Sequence, residues 1–122
     1  MDTVHFSNAR ISALCRRTLP LAVLVVLVLS VIKTGSPLPG EYSDKIEHAL
    51  AFFLLAALAG IGHAGSGLAR RLLLALIVYG LLIEGIQWWL PWREFSLLDW
   101  AADTVGVVSW LLVAWLWRRK RQ

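Results

Sequence analysis

Four long apolar stretches follow one another along the chain, separated by short polar or turn-forming segments. They lie within residues 18–36, 46–62, 72–90 and 100–117. A helix needs about 20 mostly apolar residues to cross the roughly 30 Å hydrocarbon core of a bilayer, and each stretch is close to that length. The pattern therefore predicts an all-α fold, with residues 1–122 forming one integral membrane bundle of four transmembrane helices.

The connecting segments agree with these boundaries. The first contains Pro37 and Pro39 between glycines, and the second, residues 62–67, is rich in small residues. Both compositions are typical of turns. Pro91 disfavours helical structure in the residue before it, so we expect the third helix to end there.

The composition supports a membrane protein and excludes several other classes. Of the 122 residues, 58% are hydrophobic and 16% are charged, whereas a soluble domain has about a quarter of its residues charged. Cys15 is the only cysteine, which excludes a disulfide-stapled secreted miniprotein. Despite the net charge of +4 we expect no nucleic-acid partner, because the basic residues lie at the ends of the apolar stretches.

The distribution of lysine and arginine predicts the orientation in the membrane. One side would carry Arg10, Arg16, Arg17, Arg70, Arg71, Arg118, Arg119, Lys120 and Arg121. The other side would carry Lys33, Lys45 and Arg93. Because cytoplasmic segments are enriched in basic residues, we expect both termini to lie in the cytoplasm. We expect a multi-pass protein of the plasma membrane, which is the inner membrane in cells that have two membranes. The first stretch also resembles the apolar region of a secretory signal, but no clear small-x-small cleavage pattern follows it, and we expect an uncleaved helix.

Polar side chains collect at the predicted outer end of three helices and in one connection. The candidate set is Asp44, Lys45, His48, Glu84, Gln87, Arg93, Asp99 and Asp103. Members on the same helix are mostly three or four residues apart and therefore share a helix face. Glu84 lies about 18 Å along its helix from Leu72, inside the membrane, where a carboxylate must be paired, hydrated or protonated. We therefore predict a polar site near the outer leaflet.

These residues resemble the motifs of the VanZ-like family. The resemblance consists of Asp44-Lys45-x-x-His48-x-x-x-Phe52, then Glu84-x-x-Gln87, then Arg93 and Asp99 before a helix of small residues. It covers residues 44–109 and departs from the family pattern at Asp103, where Asn is more frequent, and at Ser109, where a second glycine is common. The resemblance implies a small multi-helix membrane protein, and some family members are linked to lowered susceptibility to the glycopeptide teicoplanin. It does not supply a reaction.

One interpretation of the polar set is a site that binds or modifies the polar head group of an amphiphilic envelope molecule. His48 beside Asp44 would serve as a general base and Glu84 as the acid. Lys45 and Arg93 would hold an anionic group. The candidate binding residues are Asp44, Lys45, Gln87, Arg93, Asp99 and Asp103. No serine or cysteine nucleophile stands beside them, so whether the protein is an enzyme stays open.

The other interpretation is an interhelical clasp that fixes the helix register, in a non-enzymatic module that binds a partner protein. A small transporter is a third hypothesis, which the one-sided distribution of charge disfavours. His48 and the carboxylates could ligate a metal, but a single histidine without a CxxC or HExxH spacing leads us to predict no metal site and no cofactor. The expected partners are membrane lipids, with a lipid-linked molecule or a glycopeptide as the candidate ligand, and the oligomeric state stays open.

Overall fold

The computed structural model describes residues 2–32 and 43–121, with side chains described from Ala9 onward. In that part of the chain there are four α-helices and no strand: α1 (Asp2–Val31), α2 (Ser43–Gly62), α3 (Gly67–Trp89) and α4 (Leu97–Lys120). Each helix contains a span that is long and apolar enough to cross a membrane. The protein is therefore an all-α, multi-pass membrane bundle, as the sequence predicts.

The helix boundaries differ from the predicted ones, most of all in α1. This helix begins at Asp2 instead of near residue 18 and ends at Val31 instead of residue 36; residues 33–36 lie outside the described residues. The other three helices each begin a few residues before their predicted starts. The reason is physical: hydropathy marks the part of a helix that crosses the apolar layer, whereas backbone hydrogen bonding continues through polar turns beyond it.

The polar first half of α1 is held against the carboxyl end of α2. Ser12 Oγ donates to the Ile61 carbonyl at 3.1 Å, and Arg16 Nη1 donates to the Gly62 carbonyl at 2.8 Å. The last carbonyls of a helix lack intrahelical partners, and a cation there complements the helix dipole. These contacts stabilise α1 well before its apolar stretch begins.

The bundle core is centred on α2, which packs against the other three helices. In the described part of the chain, α1 and α4 do not pack against each other. The largest fully buried apolar side chains are Phe52 and Leu55 of α2, Ile83 of α3 and Val107 of α4. Many other leucine, valine and tryptophan side chains are exposed on the outside of the bundle. An apolar exterior of this kind is suited to contact with lipid chains rather than water.

The helices alternate in direction, which gathers four helix ends at one end of the bundle. The carboxyl ends of α1 and α3 lie there with the amino ends of α2 and α4, as the side-chain contacts between these segments demonstrate. We call this the polar end. In α2 and α4, which run in the same direction, Gly106 permits a close approach: a Cβ at this position would meet the Ala49 carbonyl and lie 2.8 Å from Phe53 N.

Candidate functional site

A histidine and two aspartates join α2 to α4 at the polar end. His48 Nδ1 is hydrogen-bonded to Asp103 Oδ1 at 2.7 Å, and its Nε2 lies 3.8 Å from Asp99 Oδ2. Asp99 and Asp103 are four residues apart and so share one face of α4. The imidazole is therefore placed between two carboxylates of the neighbouring helix.

The partner of His48 differs from the one expected from the sequence. We expected Asp44, four residues earlier on the same helix, but Asp44 Oδ2 lies 3.3 Å from Lys45 Nζ. The same Nζ lies 3.3 Å from Asp99 Oδ1. The cause is the close approach of α2 and α4, which brings the α4 carboxylates to His48. Lys45 therefore bridges the two helices and, in the described structure, contacts carboxylates on both.

Glu84 connects α3 to the start of α4. Ser96 is the N-cap of α4, and its side chain accepts a hydrogen bond from Asp99 N at 3.3 Å. In a complete capping box, the third helical residue would reach back to the backbone N–H of the cap. Here the acceptor is instead Glu84 Oε2 on the neighbouring helix α3, which lies 3.0 Å from Ser96 N. The Ser-x-x-Asp spacing of residues 96–99 is a sequence signal for this cap, and our prediction did not include Ser96.

These contacts unite six of the predicted residues in one polar cluster whose members differ in exposure. From the most to the least exposed side chain they are Asp44 (48%), Lys45 (29%), His48 (17%), Asp99 (12%), Asp103 (0%) and Glu84 (0%). The polar cluster thus begins at the surface near the start of α2 and continues between α2, α3 and α4. The exposure of these side chains thus falls from the surface of the bundle to two fully buried carboxylates.

Two oxygens at the inner end of the polar cluster have no hydrogen-bond partner. They are Glu84 Oε1 and Asp103 Oδ2, both buried. Asp103 Oδ2 faces Gly80 of α3, lying 2.8 Å from the point that a Cβ would occupy there. A buried polar atom without a partner costs about 1–3 kcal/mol, and more when it is charged. The cluster therefore retains unused capacity to bind a proton, a hydrogen-bond donor or a cation.

The other two predicted residues, Gln87 and Arg93, contact α1 instead of the polar cluster. Gln87 Nε2 donates to the Ser30 carbonyl at 2.9 Å, and Arg93 Nη2 donates to the carbonyls of Leu29 at 3.1 Å and Ile32 at 3.0 Å. The sequence analysis assigns Arg93 to the polar set as a residue that holds an anionic group, whereas its described hydrogen bonds are to carbonyls at the end of α1. The physical reason is that the final carbonyls of α1 need donors, and a guanidinium also complements the helix dipole.

Trp92, which our sequence analysis did not select, completes this arrangement. Its Nε1 donates to the Val31 carbonyl at 2.9 Å. Gln87, Trp92 and Arg93 therefore supply donors to consecutive carbonyls at the end of α1, and we call these three residues the α1 cap. A tryptophan near a membrane boundary is usually interpreted as an interface anchor, so composition alone does not reveal the hydrogen bond.

No protein-family model matches the chain, and no curated protein or solved structure matches it. The chemistry of the site is therefore inferred from its own residues. His48 can exchange a proton with a ligand, and the carboxylates can accept hydrogen bonds or bind a cation. The cluster contains more carboxylates than basic groups, and Lys45 is already paired with two of them.

Proposed function

We propose that the protein is a VanZ-like protein of the cell envelope that binds the polar head group of an amphiphilic molecule. In a second version of this proposal, the protein also modifies that head group. The family assignment draws on the order of Asp44, Lys45, His48, Glu84 and Asp99 along the chain. Its support from the geometry is that these five residues converge on one cluster from three helices.

One observation supports a binding site in preference to a clasp. The polar cluster is continuous from the exposed side of Asp44 to the buried oxygens of Glu84 and Asp103, and those oxygens have no partner. A clasp stabilises a bundle by satisfying the polar groups of its helices with one another. A ligand site, in contrast, keeps some groups free and leaves a route by which the ligand reaches them.

The charge of the polar cluster restricts the chemistry of the head groups that it can bind without an additional cation. Because Arg93 donates to α1, Lys45 is the basic residue beside His48, and its charge is balanced by Asp44 and Asp99. Hydroxyl and amine groups of a head group suit a carboxylate-rich cluster. An anionic head group would need an additional cation. In the version with chemistry, His48 transfers the proton and Asp103 orients its ring.

The proposal includes the plasma membrane as the location and the cytoplasm as the side of both termini. It draws on the basic residues in the first half of α1, at the start of α3 and at the end of α4, which lie away from the polar end. With this orientation the polar cluster faces the outer leaflet, where lipid-linked envelope molecules and the glycopeptide teicoplanin are accessible. Reporter fusions at both termini provide a direct measurement of the orientation.

The test compares two histidine-to-alanine variants at opposite ends of α2. His48→Ala removes the centre of the polar cluster, whereas His63→Ala changes the turn after α2 and is the matched control. Both variants and the wild type are produced at equal membrane levels in a glycopeptide-susceptible bacterium. Relative to the same bacterium without the protein, we expect the wild type and His63→Ala to change teicoplanin susceptibility equally. We expect His48→Ala to leave that susceptibility unchanged.

A second readout does not assume teicoplanin as the ligand. Amphiphiles that copurify with each form in mild detergent are extracted and identified by mass spectrometry. We expect one species to be retained by wild type and His63→Ala and lost from His48→Ala. If His48→Ala equals the wild type in both susceptibility and copurified molecules, the proposal is contradicted.

The second candidate function is the module that binds a partner protein through the bundle surface. The observation in its favour is that Lys45–Asp99 and His48–Asp103 both join α2 to α4, as a clasp would. In that case conservative replacement of the buried carboxylates, as in Glu84→Gln, would lower the thermal stability. The Glu84→Gln measurement described in the Discussion separates the two candidates.

A further inference from the structure

We infer that the inner end of the polar cluster is a binding site for one divalent transition-metal ion, with His48, Glu84 and Asp103 as its ligands. That the ion takes part in head-group binding rests on the proposed function. Binding of the metal itself is measured without any lipid or glycopeptide and does not depend on that function. The inference depends on three observations: the proximity of the ligand atoms, their burial, and the two carboxylate oxygens that lack partners.

The ligand atoms are already close together. One ring nitrogen of His48 and one carboxylate oxygen each of Glu84 and Asp103 lie within 4.8 Å of one another. Metal–ligand bonds of about 2.0–2.2 Å place two ligand atoms of one ion at most about 4.4 Å apart. Small side-chain rotations therefore suffice to bring the three atoms onto one ion, with no change in the helix positions.

The unpartnered oxygens distinguish this group from an ordinary acidic cluster. Glu84 and Asp103 have fully buried side chains, and Glu84 Oε1 and Asp103 Oδ2 make no hydrogen bond. Each residue uses its other oxygen, for Ser96 N and for His48 respectively. Each carboxylate is therefore held in position by one oxygen while the second stays available. A single ion is small enough for such a buried position and leaves the more exposed residues of the polar cluster to the head group.

The ligand types indicate the class of metal. Carboxylate oxygens suit Mg²⁺, Ca²⁺ and Mn²⁺, whereas an imidazole ligand suits Fe²⁺ and Zn²⁺, so the mixed set favours a transition metal, with Mn²⁺ as the weakest binder of that series. With His48 Nδ1 on the ion in place of its contact with Asp103, Nε2 of the same ring lies 3.8 Å from Asp99 Oδ2, and a carboxylate at that position orients the imidazole ring of a metal ligand. A bound ion would add the positive charge that the carboxylate-rich cluster needs for an anionic head group.

The experiment uses Mn²⁺ as the probe, with the full chain purified in detergent without a histidine tag and stripped with EDTA. Free Mn²⁺ is counted by electron paramagnetic resonance during titration, and coupling to a nitrogen nucleus is measured by pulsed methods. We expect one Mn²⁺ per chain, displaced by equimolar Zn²⁺ and not by a hundredfold excess of Mg²⁺. The nitrogen coupling is expected to disappear in His48→Ala.

Matched variants locate the ion. Glu84→Gln is expected to weaken Mn²⁺ binding at least tenfold, while Glu94→Gln, the same change at an exposed position of the α3–α4 connection, is expected to leave it unchanged. Equal helical content by circular dichroism verifies that each variant is folded. The inference is overturned if wild type and Glu84→Gln take up the same amount of Mn²⁺, or if the bound ion has no nitrogen ligand. Metal binding without amphiphile binding would instead contradict only the proposed function.

Discussion

Glu84 on α3 accepts the backbone N–H of Ser96 at 3.0 Å and thereby completes the amino-terminal cap of α4 from a neighbouring helix. The same carboxylate has a second oxygen that is buried and has no partner. Glu84 therefore has two roles that a substitution can separate. One oxygen positions the start of α4, and the other provides capacity for a ligand.

Glu84→Gln is expected to leave the thermal stability of the metal-free protein unchanged or to raise it. The amide oxygen of glutamine can still accept the Ser96 N–H, and the substitution removes the charge of a fully buried side chain. The gain expected from removing that charge is at most about 1 kcal/mol, because the amide nitrogen of glutamine then takes the place of the unpartnered oxygen. The measurement is thermal unfolding in detergent with EDTA, followed by tryptophan fluorescence.

Glu84→Ala provides the comparison for this experiment. It removes the acceptor of the Ser96 N–H as well as the charge, and we expect it to destabilise the protein by about 1–3 kcal/mol. A clear loss of stability in Glu84→Gln itself would mean that the charge is paired inside a clasp, and the module that binds a partner protein would then be favoured.

His48 and Asp103 are expected to be energetically coupled more strongly than Lys45 and Asp99. The first pair is short, at 2.7 Å, with a fully buried aspartate, whereas the second is longer, at 3.3 Å, and Lys45 is partly exposed. Double-mutant cycles to alanine should give a coupling of about 1–3 kcal/mol for the buried pair and below about 1 kcal/mol for the outer pair. The free energy of unfolding is obtained by titration with a denaturing detergent. Equal couplings would contradict the difference in burial.

Arg93→Ala is expected to loosen the end of α1 and to leave the polar cluster intact. The guanidinium donates to the carbonyl of Leu29 in α1 and to that of Ile32 directly after it, and a charged hydrogen bond of this kind contributes about 1.5–3 kcal/mol. Hydrogen exchange of the backbone N–H groups of residues 28–32 should accelerate, while Mn²⁺ binding should not change. Loss of ligand binding without faster exchange would restore the expectation that Arg93 holds an anionic group.

Gly106→Ala is expected to destabilise the bundle, against the usual preference for alanine in helices. The added methyl group would meet the backbone of α2, including Phe53 N at 2.8 Å, and overpacking of this kind costs about 1–3 kcal/mol. Gly85→Ala on α3 is the matched control, because a Cβ there has nothing within 4 Å. We expect that control to be neutral or stabilising by up to about 1 kcal/mol. Thermal unfolding of both variants provides the comparison.

The sequence predicts the fold well because hydropathy measures the property that matters most in a membrane, the burial of apolar surface in lipid. The number of helices follows from it. The end of α3 at Trp89 follows instead from Pro91, which restricts the backbone of the residue before it. The helical turns of α1 before residue 18 do not follow from hydropathy; there, Ser12 and Arg16 donate hydrogen bonds to the end of α2. Such contacts are determined by tertiary packing.

For the site, spacing along one helix predicts which residues share a face but not which helix they meet. Convergence of α2, α3 and α4 on His48 could be expected, while its pairing with Asp103 in place of Asp44 depends on the distance between α2 and α4. The partner of Arg93 is likewise determined by the neighbouring helix. Its charge suggested an anion site, but the carbonyls at the end of α1 need donors, and Arg93 donates to two of them.

The α1 cap has a consequence for the order in which the protein is made. Trp92 and Arg93 supply donors to carbonyls 61 or more residues earlier in the chain. When α1 leaves the ribosome and enters the bilayer, these donors have not yet been synthesised, and water or lipid head groups must bond to the end of α1 in their place. Assembly of the first helix is therefore finished only after the third helix has crossed the membrane, so a nascent chain truncated before Gln87 is expected to be a better target for quality-control proteases than the complete one.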